Sequence, residues 1–117
     1  LHEVTQLQAL VLSIAIEAVV AFVLVRGLRW GGGTRAALAA TIGTLITHPV
    51  VWAMMPRWEI ELGYVAALAL IESGVVLAES IAYRVVVPLG WPRALFASLV
   101  ANASSTAAGL LYYAFTG

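Results

Sequence analysis

The sequence predicts an all-α integral membrane protein, a bundle of four transmembrane helices, and three observations carry that expectation. Hydrophobic residues make up 62% of the 117 and charged residues only 10%, at a mean hydropathy of +0.99; soluble domains carry about 25% charged residues. The apolar residues fall into four runs, each near the roughly 20 residues that a spanning helix needs. Finally, every run brings a polar group to its middle: Glu17, then His48, then Glu72 and Glu79, then Asn102 with Ser105. Such groups are costly in hydrocarbon and face other protein groups or a water-filled cavity. A single transmembrane domain spanning 1–117 is therefore expected, with helices at about 6–25, 36–55, 62–87 and 93–115.

The first segment places Ser13, Glu17 and Ala21 on one face by i,i+4 spacing. It lacks a basic n-region and an A-x-A cleavage site, so it reads as a retained helix rather than a signal peptide. Arg26, Arg29 and Trp30 end it, and Gly31-Gly32-Gly33 makes a turn. No strand precedes these glycines and no lysine follows, so they do not read as a phosphate-binding loop.

In the second segment Ala36, Ala40, Gly43 and Thr47 form a small-residue stripe of the kind that lets helix backbones approach closely in lipid. Beside it runs a more polar stripe of Ala37, Thr41, Thr44 and His48. Pro49 cannot donate to the carbonyl of Leu45, which is thereby freed near the His48 imidazole. The mixed-charge stretch Pro56 to Glu61 reads as the second loop.

The third segment is the one around which the others are organised. Glu72 and Glu79 lie seven residues apart, on one helical face and about 10 Å apart in height. Its inward face reads Ala69, Glu72, Val76, Glu79, Tyr83, and Arg84 can snorkel to the near surface. Pro88-Leu89-Gly90-Trp91-Pro92 makes the third turn. The fourth segment carries Ser98, Asn102, Ser105 and Gly109 on one small, polar face. Counted along each span, Glu17, His48, Glu72 and the Asn102–Ser105 pair fall near mid-depth, with Glu79 two turns closer to the first and third loops.

Those two loops hold Arg26, Arg29, Arg35, Arg84 and Arg93, whereas the second holds only Arg57. The positive-inside rule then puts loops 26–35 and 88–93 in the cytoplasm and both termini outside, with a prokaryotic inner membrane as the setting. Trp30 and Trp91 fit the inner surface; Trp52 and Trp58 fit the outer one. A weak internal repeat is also visible. Ala21 to Trp30 matches Ala82 to Trp91 without a gap, and after a three-residue deletion Arg35-Ala36 matches Arg93-Ala94. Thr44 then faces Asn102, Thr47 faces Ser105, and Glu17 comes within one residue of Glu79. Two similar hairpins related by an axis along the membrane normal, a parallel repeat, are expected.

Composition excludes several functions. Six Arg balance six Glu with no Lys or Asp, so no basic patch exists for nucleic acid. Cysteine is absent, which removes disulfides and thiolate metal sites. What remains is a polar midplane. Buried glutamates serve poorly as mere glue, because Asn or Gln would hydrogen-bond equally well without an ionisable group. The reading they favour is a proton- or metal-cation-handling site at Glu17, His48, Glu72 and Glu79, possible in a transport component, with Glu72 and His48 as the charge-changing groups. Asn102, Ser105, Tyr83 and Thr44 would orient them. His48 with Glu17 and Glu72 supplies a donor set suited to Zn, Mn or Fe, although no tight ligand spacing such as H-E-x-x-H accompanies it. Two alternatives stand beside this reading. One is a non-catalytic accessory or assembly subunit of a larger membrane complex. The other is an intramembrane metal-dependent hydrolase, with Ser104 or Ser105 paired to His48 as its metal-free variant; no nucleophile motif supports it. Four helices are few for a transport path, so the bilayer, a homo-oligomer or a larger complex are the expected partners.

Two resemblances follow from these residues. The size, the four helices and Glu17 in the first segment are similar to the small multidrug resistance transporters, which implies a glutamate that binds a proton or a cationic drug in turn. The chain departs from that family in its strong arginine bias, in its proline and tryptophan pattern, and in having Glu72, Glu79 and His48. In Thr47-His48-Pro49-x-x-Trp52 and Ser98-x-x-x-Asn102-x-x-Ser105 the chain resembles small prokaryotic four-helix membrane proteins, a resemblance that spans most of its length and implies no activity.

Overall fold

The computed structural model describes residues 5–116, and every regular element among them is a helix. The helices are α1 (Gln6–Gly27), α2 (Gly33–Leu62), α3 (Tyr64–Val86) and α4 (Trp91–Thr116). All four are long and apolar enough to cross a membrane. They form a closed ring: α1 packs on α2 and α4, and α3 packs on the same two, which leaves α1 and α3 on one diagonal. The longest dimension, 41 Å, matches the roughly 40–45 Å of a bilayer with its headgroups.

α1 begins with a capping box. Gln8 N–H donates to Thr5 Oγ1 at 3.1 Å, and Thr5 N–H donates to Gln8 Oε1 at 3.1 Å, which satisfies two of the backbone donors that a helix start leaves open. The glycine run after α1 is a packing device as well as a turn. A Cβ on Gly33 would lie 2.9 Å from the Phe22 ring, and one on Gly31 would lie 2.9 Å from Val87.

Some boundaries differ from the sequence expectation, the end of α2 most of all. Pro56 to Glu61 is not a loop; α2 runs through both Pro49 and Pro56 to Leu62. The mixed charges mark where the helix turns polar rather than where it ends. Beyond Pro56 the helix continues in a polar setting with Arg57 and Glu61 paired at 3.7 Å by i,i+4 spacing. Gly63 alone makes the turn, at φ +84°, a conformation that glycine adopts without the Cβ penalty. α4 starts two residues early, at Trp91, because Pro92 falls in the first turn where its missing N–H costs nothing.

The two ends of the bundle are packed differently. Ala21, Val25, Ala36, Ala39, Ala40, Tyr83, Val87, Leu89, Ala94 and Ala97 form one buried apolar cluster at the end carrying the first and third loops. Alanines at the crossings let the backbones come close. Trp30 and Phe96 meet edge to face at 6.0 Å, Arg93 lies over Trp30 and Arg84 over Trp91. Toward the other end, among the described residues, only Ala67, Ile71 and Val75 are buried apolar residues, with Ala101 buried beside Asn102 at the boundary. Outward-facing Leu, Val and Ile cover the lateral surface along much of the helices, as a lipid-facing bundle requires.

Candidate functional site

Where the alanine-packed end gives way to the open end, two carboxyl groups meet. Glu17 from α1 and Glu79 from α3 reach across the diagonal of the ring and lie within hydrogen-bonding reach of each other. Both residues are almost fully buried, at 3% and 2% exposure. Each takes two hydrogen bonds, one from α2 and one from α4. Thr44 donates to Glu17 Oε1 at 2.9 Å and Ser105 to Glu17 Oε2 at 2.7 Å. Thr47 donates to Glu79 Oε2 at 2.6 Å and Asn102 Nδ2 to Glu79 Oε1 at 3.1 Å. The other Nδ2 hydrogen of Asn102 goes to the Ser98 carbonyl at 2.8 Å, so its amide is held from two sides.

The sequence dictates much of this locally. The stripe of Ala36, Ala40 and Gly43 is buried, and Gly43 has a specific purpose. A Cβ there would sit 2.9 Å from Glu79 Cγ. The absent side chain is what lets Glu79 lie across α2 and reach Thr47. Thr47 and Gly43, neither of them among the expected site residues, are therefore essential to the geometry. Their signal was present in the small-residue stripe, which read as helix packing alone.

The remaining expected residues occupy different places. Glu72 is half-buried and accepts one hydrogen bond, from Thr106 Oγ1 at 3.2 Å. Depth counting put Glu72 beside Glu17, with Glu79 lower; the structure joins Glu79 to Glu17 instead. Depth counted along separate ideal spans is good to about one turn, ~5.4 Å, and takes no account of how far α1 and α3 are shifted against each other; α3 itself keeps nearly its expected bounds. His48 is half-buried, 6.1 Å from the Trp52 ring, and its Nδ1 is buried with no hydrogen-bond partner. Tyr83 is fully buried in the apolar cluster, and its hydroxyl also lacks a partner.

A polar cavity of about 100 Å³ adjoins the pair and is lined by Glu17, Glu79, Glu72, His48, Asn102 and Ser105 together with the neighbouring threonines. Among the described residues no group of three His or carboxylate side chains lies close enough to hold a metal ion. His48, Glu17 and Glu72 share the cavity wall without forming such a cluster. Ser104 donates to the Val100 carbonyl of its own helix and Ser105 to Glu17; neither pairs with His48. A larger, apolar groove of about 730 Å³ runs between α3 and α4, and Glu72, Asn102 and Thr106 line both it and the polar cavity.

Comparison with known proteins finds no matching family model, no matching curated protein and no matching solved structure.

Proposed function

We propose that the chain is an integral membrane protein that binds and exchanges a proton at the Glu17–Glu79 pair, as a component of a transport process. One observation carries this reading: two carboxyls from opposite helices within hydrogen-bonding reach, wrapped by four donors from the other two helices. Two adjacent carboxylates cannot both be charged in a low-dielectric setting, so such a pair shares a proton. A structural bundle has no need of that arrangement, since Asn or Gln would satisfy the same hydroxyls. Infrared spectroscopy of the protein in lipid tests the proposal. A protonated-carboxyl band that titrates and disappears in both Glu17→Gln and Glu79→Gln is expected; a spectrum unchanged by either substitution overturns it.

The parallel repeat belongs to the same reading. Equating Glu17, Ala21 and Val25 with Glu79, Tyr83 and Val87 matches buried residue to buried residue. So does equating Ala36, Ala39, Ala40 and Thr44 with Ala94, Ala97, Ser98 and Asn102. Under that exchange the bond Thr44–Glu17 becomes Asn102–Glu79, and Ser105–Glu17 becomes Thr47–Glu79. The hydrogen-bond network maps onto itself. The sequence match of Ala21–Trp30 to Ala82–Trp91 is one residue out of this register, which is why Glu17 and Glu79 looked almost equivalent rather than equivalent. The arginine distribution supports both termini outside, and a C-terminal reporter active only in the cytoplasm is expected to stay silent.

A second reading, an accessory subunit of a larger complex, is favoured by the 730 Å³ groove between α3 and α4. Its apolar walls suit a partner helix as well as lipid.

A further inference from the structure

The two sides of the carboxyl pair are unlike, and that difference gives the site a direction. On the loop side lies the cluster of Tyr83, Val25, Val87, Leu89 and the crossing alanines, all buried. The hydroxyl of Tyr83 there makes no hydrogen bond. Among the described residues, the buried hydroxyls on that side, Ser98 and Ser80, donate to the Val76 and Leu77 carbonyls, and no hydrogen bond continues from them toward the loops. On the terminal side lies the polar cavity of about 100 Å³, room for a few water molecules at roughly 30 Å³ each. Glu72 stands at its outer edge, half-buried, held by a single hydroxyl, and also lines the wider groove that opens laterally. The titratable groups facing the pair are thus few. They are Glu72 and Tyr83 from α3 and His48 from α2; α1 and α4 add only Ser13, Asn102, Ser105 and Thr106, which do not titrate in the accessible range.

We infer that the Glu17–Glu79 pair is loaded from the terminal end alone, through the polar cavity, with Glu72 as the outer proton station and the alanine–Tyr83 cluster as a seal toward the loops. The inference rests on the proton reading of the pair. In the loading step a hydronium ion at the outer edge gives its proton to the Glu72 carboxylate and leaves as water. Glu72 then passes a proton along cavity water to the pair, which goes from one shared proton to two, and returns to the carboxylate. No bond other than O–H bonds forms or breaks. Proton release reverses the order.

The test uses vesicles in which the full chain is inserted in one orientation, sorted by accessibility of a C-terminal tag, with impermeant buffers inside and outside. The infrared band of the pair is followed after a rapid alkaline jump on one face. Absence of that band in the wild type would count against the proton reading itself, before any statement about direction. With the band present, proton loss is expected promptly after a jump on the terminal face and roughly a hundredfold more slowly after a jump on the loop face, the scale on which a positioned proton carrier acts. Glu72→Gln is expected to slow the terminal-face response by a similar factor while leaving the amplitude and position of the band unchanged, and Glu72→Asp to restore much of the rate. A merely structural Glu72 would move the band and not the rate. Thr106→Ala, which removes the hydroxyl that donates to Glu72, is expected to slow the response in the same direction and serves if Glu72→Gln does not fold. Equal rates from the two faces overturn the seal. A wild-type rate in Glu72→Gln, or a loss of rate confined to His48→Gln, overturns the assignment of Glu72.

Discussion

The loop end and the terminal end of this bundle solve opposite problems with the same four helices. At the loop end the crossings are filled by Ala21, Ala36, Ala39, Ala40, Ala94 and Ala97, with Tyr83 as the one large side chain fully buried among them. Backbones approach there because almost nothing stands between them. Toward the terminal end, among the described residues, only Ala67, Ile71 and Val75 are buried apolar residues beyond Ala101 at the boundary, and polar side chains line a cavity. The carboxyl pair sits at the boundary. Close packing on one side holds α1 and α3 where Glu17 and Glu79 meet, and on the other side the polar cavity adjoins the pair. On the proposed reading, a uniformly tight bundle would bury the pair without exchange, and a uniformly loose one would not bring it together.

The sharpest way to break this comparison is to overfill each end in turn. Ala39→Leu or Ala97→Leu inserts a large side chain where no exposure remains, and is expected to cost up to about 3 kcal/mol or to prevent assembly. Ala103→Leu and Ala107→Leu, on the exposed wall of the α3–α4 groove, are expected to stay within about 0.5 kcal/mol. Unfolding in mixed micelles measures both. Comparable costs at the two ends would mean that the loop end is not specially packed.

The next effect concerns the boundary itself. Gly43→Ala places a methyl 2.9 Å from Glu79 Cγ, closer than carbon atoms tolerate. Glu79 is tethered to Thr47 and Asn102, so it cannot step aside without losing one of them. A cost of about 1–3 kcal/mol is expected, together with a changed infrared band of the carboxyl pair. A stable Gly43→Ala protein with an unaltered band would show that Glu79 does not need to cross α2 where it does.

How far these features could be read from the sequence follows the same division. Helix number, approximate spans and the polar residues at mid-depth are properties of single segments, and hydropathy with i,i+4 spacing reveals them. The extension of α2 past Pro56 was missed because proline and charge look alike whether a helix stops or merely leaves the membrane. Which glutamate meets Glu17 depends on the relative heights of α1 and α3, and no residue pattern on one helix encodes the height of another. The internal match of Ala21–Trp30 to Ala82–Trp91 carried that information only in part, since its register is one residue from the one that burial defines. Gly43 was legible as a small residue and illegible as the partner of Glu79, for the same reason.

A smaller effect sharpens the equivalence of the two halves of the network. Thr47 and Ser105 supply the hydrogen bonds that cross between the hairpins. Thr47→Val and Ser105→Ala each remove one such bond, and interhelical hydrogen bonds in lipid average about 0.6 kcal/mol. The two variants are expected to cost similar amounts near that figure. A large cost for one and none for the other would mean that Glu17 and Glu79 are not held alike, and that the pseudo-symmetry of the bonds has no energetic counterpart.

The one substitution not expected to destabilise is Tyr83→Phe, and it bears most directly on the seal. The ring fills the apolar cluster, while the hydroxyl is buried and makes no hydrogen bond. Leaving a hydroxyl unsatisfied in an apolar setting costs about 1–3 kcal/mol by protein mutational measures, so its removal should leave stability unchanged or raise it by about 1 kcal/mol. The ring and its packing remain, and the seal should remain with them. A clear loss of stability would place the hydroxyl in a hydrogen bond, and the titratable groups close enough to interact with it are Glu17 and Glu79. In that event the polar region would extend past the pair into the loop end, and the sharp change of character on which the direction of loading depends would not exist.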